Sequence, residues 1–214
     1  RADLVLLQEV DDGTRRSGYM DQVAVLRRLT GLRGAFGRSL WYDGGAYGIA
    51  ILSRWPLRAD TVWHLPVSPP QRRAGGSMEP RTALRVVVDA PGGPITVVNT
   101  HLDPARDDAG RRQEVRALLE HLAPVLRAGG RVLVGGDFNA EPGSAPLALF
   151  EAAGLTDAWR ACGSGDGLSY PAAIPTKRID YLLTSAALAC RHAEVLQTDA
   201  SDHRPVLVEV VPSR

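Results

Sequence analysis

Apolar and polar positions recur with two different periods along this chain, and the changes of period mark out its elements. An apolar run opens at Leu4 and ends in LLQEV, delivering Glu9 as a buried strand delivers a polar residue at its end. Val23, Leu26 and Leu29 then recur at helix-like spacing up to Gly31, a suitable helix stop. YGIAILS and the stretch from Leu57 to Leu65 have strand patterns, separated by a tight break at Trp55-Pro56. From Pro66 to Pro80 the chain is rich in Pro, Gly, Ser and Arg with no apolar period, which predicts a mobile surface loop. TALRVVVDA and GPITVVNTH form two strands joined by Pro91-Gly92-Gly93, a hairpin signal that requires antiparallel pairing and excludes an all-parallel sheet.

The strongest helical stripe lies between Asp107 and Arg127, where Val115, Leu118, Leu119, Leu122 and Leu126 share one face. A second helix is predicted from Ala145 to Ala153, ending at Gly154. Cys162 to Thr176 is another Gly/Pro/Ser-rich loop, and KRIDYLL, AEVLQT and PVLVEV complete the strands. The focal stretch is RVLVGGDFNAEPG. Its short strand, Val132 to Val134, is followed by Asp137 and Asn139 two residues apart, so that alternation along an extended backbone aims both the same way. Gly135 and Gly136 remove side-chain bulk just before them, which lets another backbone or a phosphate come close. An Asx-type turn explains the same residues, and both readings stand at this point.

Composition narrows the class without choosing a function. The 214 residues suffice for one well-buried domain, and a hydrophobic content of 44% with 23% charged residues is ordinary for a globular protein. The net charge of +1 argues against a large nucleic-acid footprint, although a local basic groove fits inside a balanced total. Lys177 is the only lysine. Cys162 and Cys190 fit no zinc spacing, and buried free thiols are expected. No apolar run approaches the roughly 18 residues of a membrane span, and any leader would lie upstream of Arg1.

Four apolar runs thus end in an acid, an amide or an imidazole: LLQEV, VVNTHLD, RVLVGGDFN and, placed before a strand, ASDHRPVLVEV. In order and wording, from about Ala2 to Val210, they resemble the endonuclease/exonuclease/phosphatase family, the group that includes deoxyribonuclease I and the abasic-site endonucleases. GDFN and SDH together, with QE upstream and THL between, carry the resemblance. EVDDGTRRSG, AFG and YGIAILSRWPL are similar to a bacterial branch of metal-dependent hydrolases, in which an asparagine is common where this chain has Ile49. The resemblance implies two packed, mostly antiparallel or mixed β-sheets flanked by helices, a four-layer α/β/β/α sandwich in a single domain spanning residues 1–214. It also implies a first strand and helix that precede LLQEV in the family and are missing here, which suggests a trimmed portion of a longer protein.

The chemistry implied is hydrolysis of a phosphate ester, for which enzymes supply up to about 10²¹-fold acceleration with monoesters. Mg²⁺ or Mn²⁺ suits it, since a hard divalent ion takes oxygen ligands and usually one or two protein carboxylates. Glu9 and Asp202 are the expected metal ligands. Asp137 is either the general base for the attacking water or a ligand to a second metal, and Asn139 orients the nucleophile or a phosphoryl oxygen. His203, held by Asp180, transfers a proton or neutralises phosphate; a strand-end salt bridge from Asp180 to Arg178 is the alternative. His101 hydrogen-bonds a phosphoryl oxygen or protonates the leaving oxygen, and Arg81 is a substrate contact through its bidentate fork, against the alternative of a solvated strand-edge arginine. Asp103, Glu141 and Arg204 lie beside the motifs without an assigned role.

The expected activity is therefore a divalent-metal-dependent phosphodiesterase working by direct water attack as a monomer. Nucleic acid and a phospholipid headgroup are the candidate substrates, with Trp41, Tyr42 and Trp63 as aromatics able to meet a nucleobase. The alternative is a non-catalytic binding or scaffold domain that kept the fold.

Overall fold

The computed structural model describes residues 2–67, 69, 70, 74 and 76–213. Strands β1 (Leu4–Asp12), β2 (Arg33–Tyr42) and β3 (Gly45–Ser53) form an antiparallel sheet in the order β1-β3-β2. A second sheet comprises β4 (Leu57–His64), β5 (Thr82–Ala90), β6 (Gly93–His101), β7 (Val132–Asp137), β8 (Leu155–Asp157) and β9 (Asp180–Ser185), in the order β4-β5-β6-β7-β9-β8. Within it β6 and β7 pair in parallel, joined by a long crossover, and the other neighbours are antiparallel. β10 (Leu188–Val195) and β11 (Val206–Pro212) make a separate antiparallel ribbon.

Strand alternation divides the apolar residues between two faces, and this division builds the layers. Val97 and Leu133 face the first sheet, where they meet Ile49 and Ile51 together with Leu84, Val86 and Val88. Their neighbours Val98, Val132 and Val134 face the opposite way, onto Val115, Leu118 and Leu122 of helix α2 (Ala109–Arg127) and Leu147 and Phe150 of α3 (Ala145–Ala152). Helix α1 (Gln22–Thr30) covers the outer face of the first sheet through Val23, beside Val10, Ala50 and Leu52. The four layers implied by the resemblance are present: helix, sheet, sheet, helices. Truncating one of the fully buried leucines, Leu118 or Leu122, costs about 2–5 kcal/mol.

Several expectations change in detail. Leu29 is 72% exposed rather than part of the α1 stripe, because the six residues from Val23 carry the helix about 240° round its axis. Gly31 does end α1, in the left-handed conformation at φ 72° with its N–H on Arg27 O. β2 lacks an obvious pattern because Gly34 and Gly37 interrupt it; Leu52 and Val23 fill the space beside Gly34, and Leu84 that beside Gly37. β8 and helix α4 (Ala158–Cys162) are too short to show a period. The two glycines before Asp137 do not open a phosphate site. A side chain at Gly136 would strike Thr100 O, and one at Gly135 would meet Leu182 and Leu6, so both serve contacts inside the protein.

The cysteines are also corrected: Cys162, at the end of α4, is disulfide-bonded to Cys190 on β10. Of the loop predicted between Pro66 and Pro80, Ser68, residues 71–73 and Gly75 lie outside the described residues. Its far end is anchored, since Glu79 is fully buried and Met78 N donates to Asp103 Oδ2.

Candidate active site

Register brings the first three residues together. His101 is the last residue of β6 and pairs with Asp137, the last of β7; Asp137 pairs with Asp180, the first of β9. Paired residues on neighbouring strands project from the same face, so an imidazole and two carboxylates form one row across the sheet. His203 arrives from outside the sheet, on the connection between β10 and β11. Asp137 Oδ2 lies 3.5 Å from His101 Nε2 and 3.8 Å from His203 Nε2. His203 Nδ1 lies 2.8 Å from Asp180 Oδ2, and the same oxygen accepts from Ser169 Oγ at 2.6 Å.

The residue after Asp137 fixes where the row ends. Phe138 is fully buried, stacked on Phe150 and Tyr181 with centroids 5.1 and 5.2 Å away, and so anchors the turn below the site. Asn139 follows at φ 46°, beyond the strand, so strand alternation does not aim it. Its N–H donates to Asp137 Oδ1 at 2.8 Å, and its Nδ2 donates to Leu102 O at 2.9 Å. The Asx turn and the polar site are thus the same structure, the turn holding the Asp137 carboxylate.

Asp180 is free for His203 because Arg178 is engaged elsewhere, donating to buried Asp157 at 2.7 Å. Arg81 is not a solvated strand-edge residue. It is 2% exposed, with Nη1 3.0 Å from Glu79 Oε1, and its charge acts on His101 and Asp137. Burial, then the charges of Glu79 and Glu9, hold the Tyr47 phenol above its usual range, which puts Glu9 within electrostatic reach of the same region.

Glu9 and Asp202 are placed differently from the row. Glu9 does not end β1 but sits in a bulge between Leu7 and Val10, at φ 57°, with an exposed side chain. Bulges re-aim side chains, and positive φ in a non-glycine residue is a strained conformation that the surroundings must hold. Part of that holding is visible: Gln8 Nε2 donates to Asn99 Oδ1 at 2.7 Å, and Asn99 Nδ2 donates to Leu7 O and Ala50 O. Asp202 is exposed, with Oδ1 accepting from Ser201 Oγ at 3.4 Å.

The electrostatics separate the groups by their neighbours. Burial, followed by the negative charge of Asp180, pushes Asp137 up to about 7. Burial also lowers His101 well below its ordinary value, and the positive charges of Arg81 and His203 lower it further. Burial acts on His203 in the same direction but is outweighed by the hydrogen bond and charge of Asp180, then by Asp137 and Asp202, giving about 9. Asp137, Asp180 and His203 each offer one ligand atom, all within 4.8 Å of one another. Two carboxylates in a mostly buried row repel each other, and a divalent cation is the usual relief. Carboxylate oxygens suit Mg²⁺, and Mn²⁺ also tolerates an imidazole.

Ser169, Tyr170, Glu79 and Asn99 were not singled out in the sequence. Ser169 and Tyr170 lie in GLSYP, a loop with no period, and Glu79 precedes a proline at the end of another loop. Asn99 had one available signal: it sits two residues before His101 in a strand that should otherwise be apolar. Asp103 caps the loop end at Met78 and accepts from Ala105 N, whereas Arg204 donates to Ala172 O. Glu141 is exposed.

Comparison with known proteins bears on the family and the fold. The uncharacterized protein YbhP of Escherichia coli K12 is 28% identical over 179 residues, 82% of this chain and 67% of that protein. A functionally unknown conserved protein from Enterococcus faecalis V583 superposes with a TM-score of 0.80 at 23% identity, over 99% of this chain and 86% of its own. The mannosyl-6-phosphatase Bt3783 of Bacteroides thetaiotaomicron superposes at 0.77 with 19% identity, over 98% and 85%, and at such identities the likeness is one of fold. The model of the Endonuclease/Exonuclease/phosphatase family matches residues 1–203, and the chain belongs to this family.

Proposed function

We propose that this chain is a divalent-metal-dependent phosphoesterase, with Mg²⁺ or Mn²⁺ as the ion, that hydrolyses phosphodiesters by direct attack of water and acts as a monomer. The observation that carries the proposal is the row His101, Asp137, Asp180 with His203 docked on its edge. Family membership supports the phosphoester class of substrate. Asp137, raised to about 7, is poised to take a proton from the attacking water near neutral pH. Asn139 holds that carboxylate in place. His203, protonated below about 9 and oriented by Asp180, neutralises charge on the phosphoryl oxygens or protonates the leaving oxygen. His101 stays neutral and contributes a hydrogen bond, while Arg81 acts on the site through its charge, fixed by Glu79.

Glu9 and Asp202, both exposed, are the carboxylates proposed to hold the ion. The ion, when bound, supplies positive charge for the phosphoryl oxygens. Of the three candidate aromatics, Trp63 stacks on His121 and Tyr42 lies against Tyr47. Trp41 is 70% exposed, with Arg38 over one face, and it supports including a nucleic acid among the substrates tested. Among the described residues no helix is long and apolar enough to cross a membrane.

The test is turnover of bis-p-nitrophenyl phosphate, p-nitrophenyl phosphate, sphingomyelin and plasmid DNA with Mg²⁺ or Mn²⁺, each repeated in saturating EDTA. Cleavage of a diester that EDTA abolishes supports the proposal, whereas cleavage indifferent to EDTA refutes it. Absence of turnover together with no calorimetric Mg²⁺ binding would instead favour a non-catalytic domain.

A further inference from the structure

His203 is carried by a connection that strand pairing does not hold, and the segment Ser169 to Ala172 holds it instead. Ser169 is fully buried. Its Oγ donates to Asp180 Oδ2 at 2.6 Å, while its carbonyl accepts from Arg204 N at 2.7 Å. Ala172 N donates to Asp202 O at 2.7 Å, and Ala172 O accepts from Arg204 Nε at 2.7 Å. Between them, the Tyr170 ring lies against the His203 ring, with centroids 4.6 Å apart. Residues 202, 203 and 204 are therefore each gripped by the 169–172 segment.

We infer that Ser169 is a positioning residue of the site: its hydroxyl holds Asp180 in the orientation that meets His203, while the neighbouring backbone seats the arm bearing His203. A carboxylate with a single donor can turn about its terminal torsion. Two donors on one oxygen, a hydroxyl and an imidazole N–H, leave it one orientation. The Ser169 distance falls in the range of charge-assisted O–H···O⁻ bonds, which are among the stronger ones. The contacts to residues 202 and 204 are made by backbone groups of residues 169 and 172, so Ser169→Ala leaves the arm docked and frees Asp180 alone. This inference rests on the proposed role of His203, and its test is built to fail separately from that role.

The experiment compares full-length wild type, Ser169→Ala and Ser169→Thr. Turnover of bis-p-nitrophenyl phosphate is measured with saturating Mn²⁺, together with the downfield proton resonance of the His203 Nδ1–H, assigned by its loss in His203→Gln. For Ser169→Ala the expectation is a fall in kcat of roughly 10–100-fold with KM unchanged, and displacement or broadening of the resonance; Ser169→Thr restores both. A wild-type kcat with an unmoved resonance overturns the inference. So does a loss of kcat that threonine fails to restore while the resonance stays in place. If the alanine variant does not fold, Ser169→Cys, which offers only a weak S–H donor, is read by the same criteria. If wild type shows no turnover, the phosphoesterase reading fails, and the resonance alone decides the role of Ser169.

Discussion

His101 and His203 approach the same oxygen of Asp137, at 3.5 and 3.8 Å, out of opposite surroundings. His101 ends an interior strand, is buried, and faces the positive charges of Arg81 and His203, so it stays neutral. His203 comes in on a connecting loop, remains part-exposed, and is held by Asp180 with Asp137 and Asp202 nearby, so it stays charged well above its ordinary value. One side-chain type thus takes two protonation states a few ångströms apart, and the difference lies in the neighbours each backbone position supplies. The difference fits the proposed division of labour, in which the inner histidine offers a hydrogen bond and the outer one brings a positive charge or a proton.

The largest effect expected is at the carboxylate the two share. Asp137→Asn should lower kcat by about 10²–10⁴-fold with little change in thermal midpoint, measured on whichever diester the wild type cleaves. A variant as active as wild type would remove Asp137 from the chemistry. Next comes the comparison itself. His203→Gln should cost more in kcat than His101→Asn, since only the former removes a positive charge from the site; the reverse order would mean that the roles are exchanged.

A smaller effect, more specific in form, is expected from Asp180→Asn. With Asp137 as the base and His203 acting in its protonated form, as proposed, wild-type activity should rise with pH through about 7 and fall through about 9. The Asp180 charge raises both values, hence its removal should lower both and carry the whole bell toward acid, with an activity loss of roughly 10–100-fold. A pH–rate profile whose limbs stay where they were would separate Asp180 from both groups.

How far the sequence reveals this site depends on what sets each position. His101 and Asp137 are legible because each stands at the polar end of an apolar run, the signature of a strand leaving a core, whereas Asp180 in RIDYLL is named only through the family resemblance. That they share a row was not legible, because register is decided by pairing between segments more than thirty residues apart. Glu9 closes an apolar run in the sequence yet lies in a bulge inside β1, since the extra residue of a β-bulge leaves no mark in such a run. Gly135 and Gly136 leave room for another backbone or a phosphate, and the Thr100 backbone takes it beside Gly136 while Leu6 and Leu182 take it beside Gly135; a glycine shows that something comes close without showing what. Ser169 acts through a single hydroxyl on a loop and Cys162 finds Cys190 across the fold, and neither leaves a periodic trace.

The opposed states of the two histidines are the core of this account, and an NMR titration of both imidazoles in the wild-type protein tests them most directly. His203 should lose its proton near pH 9, while His101 should titrate well below its ordinary value. Two histidines titrating together near their ordinary value of about 6.5 would contradict the account.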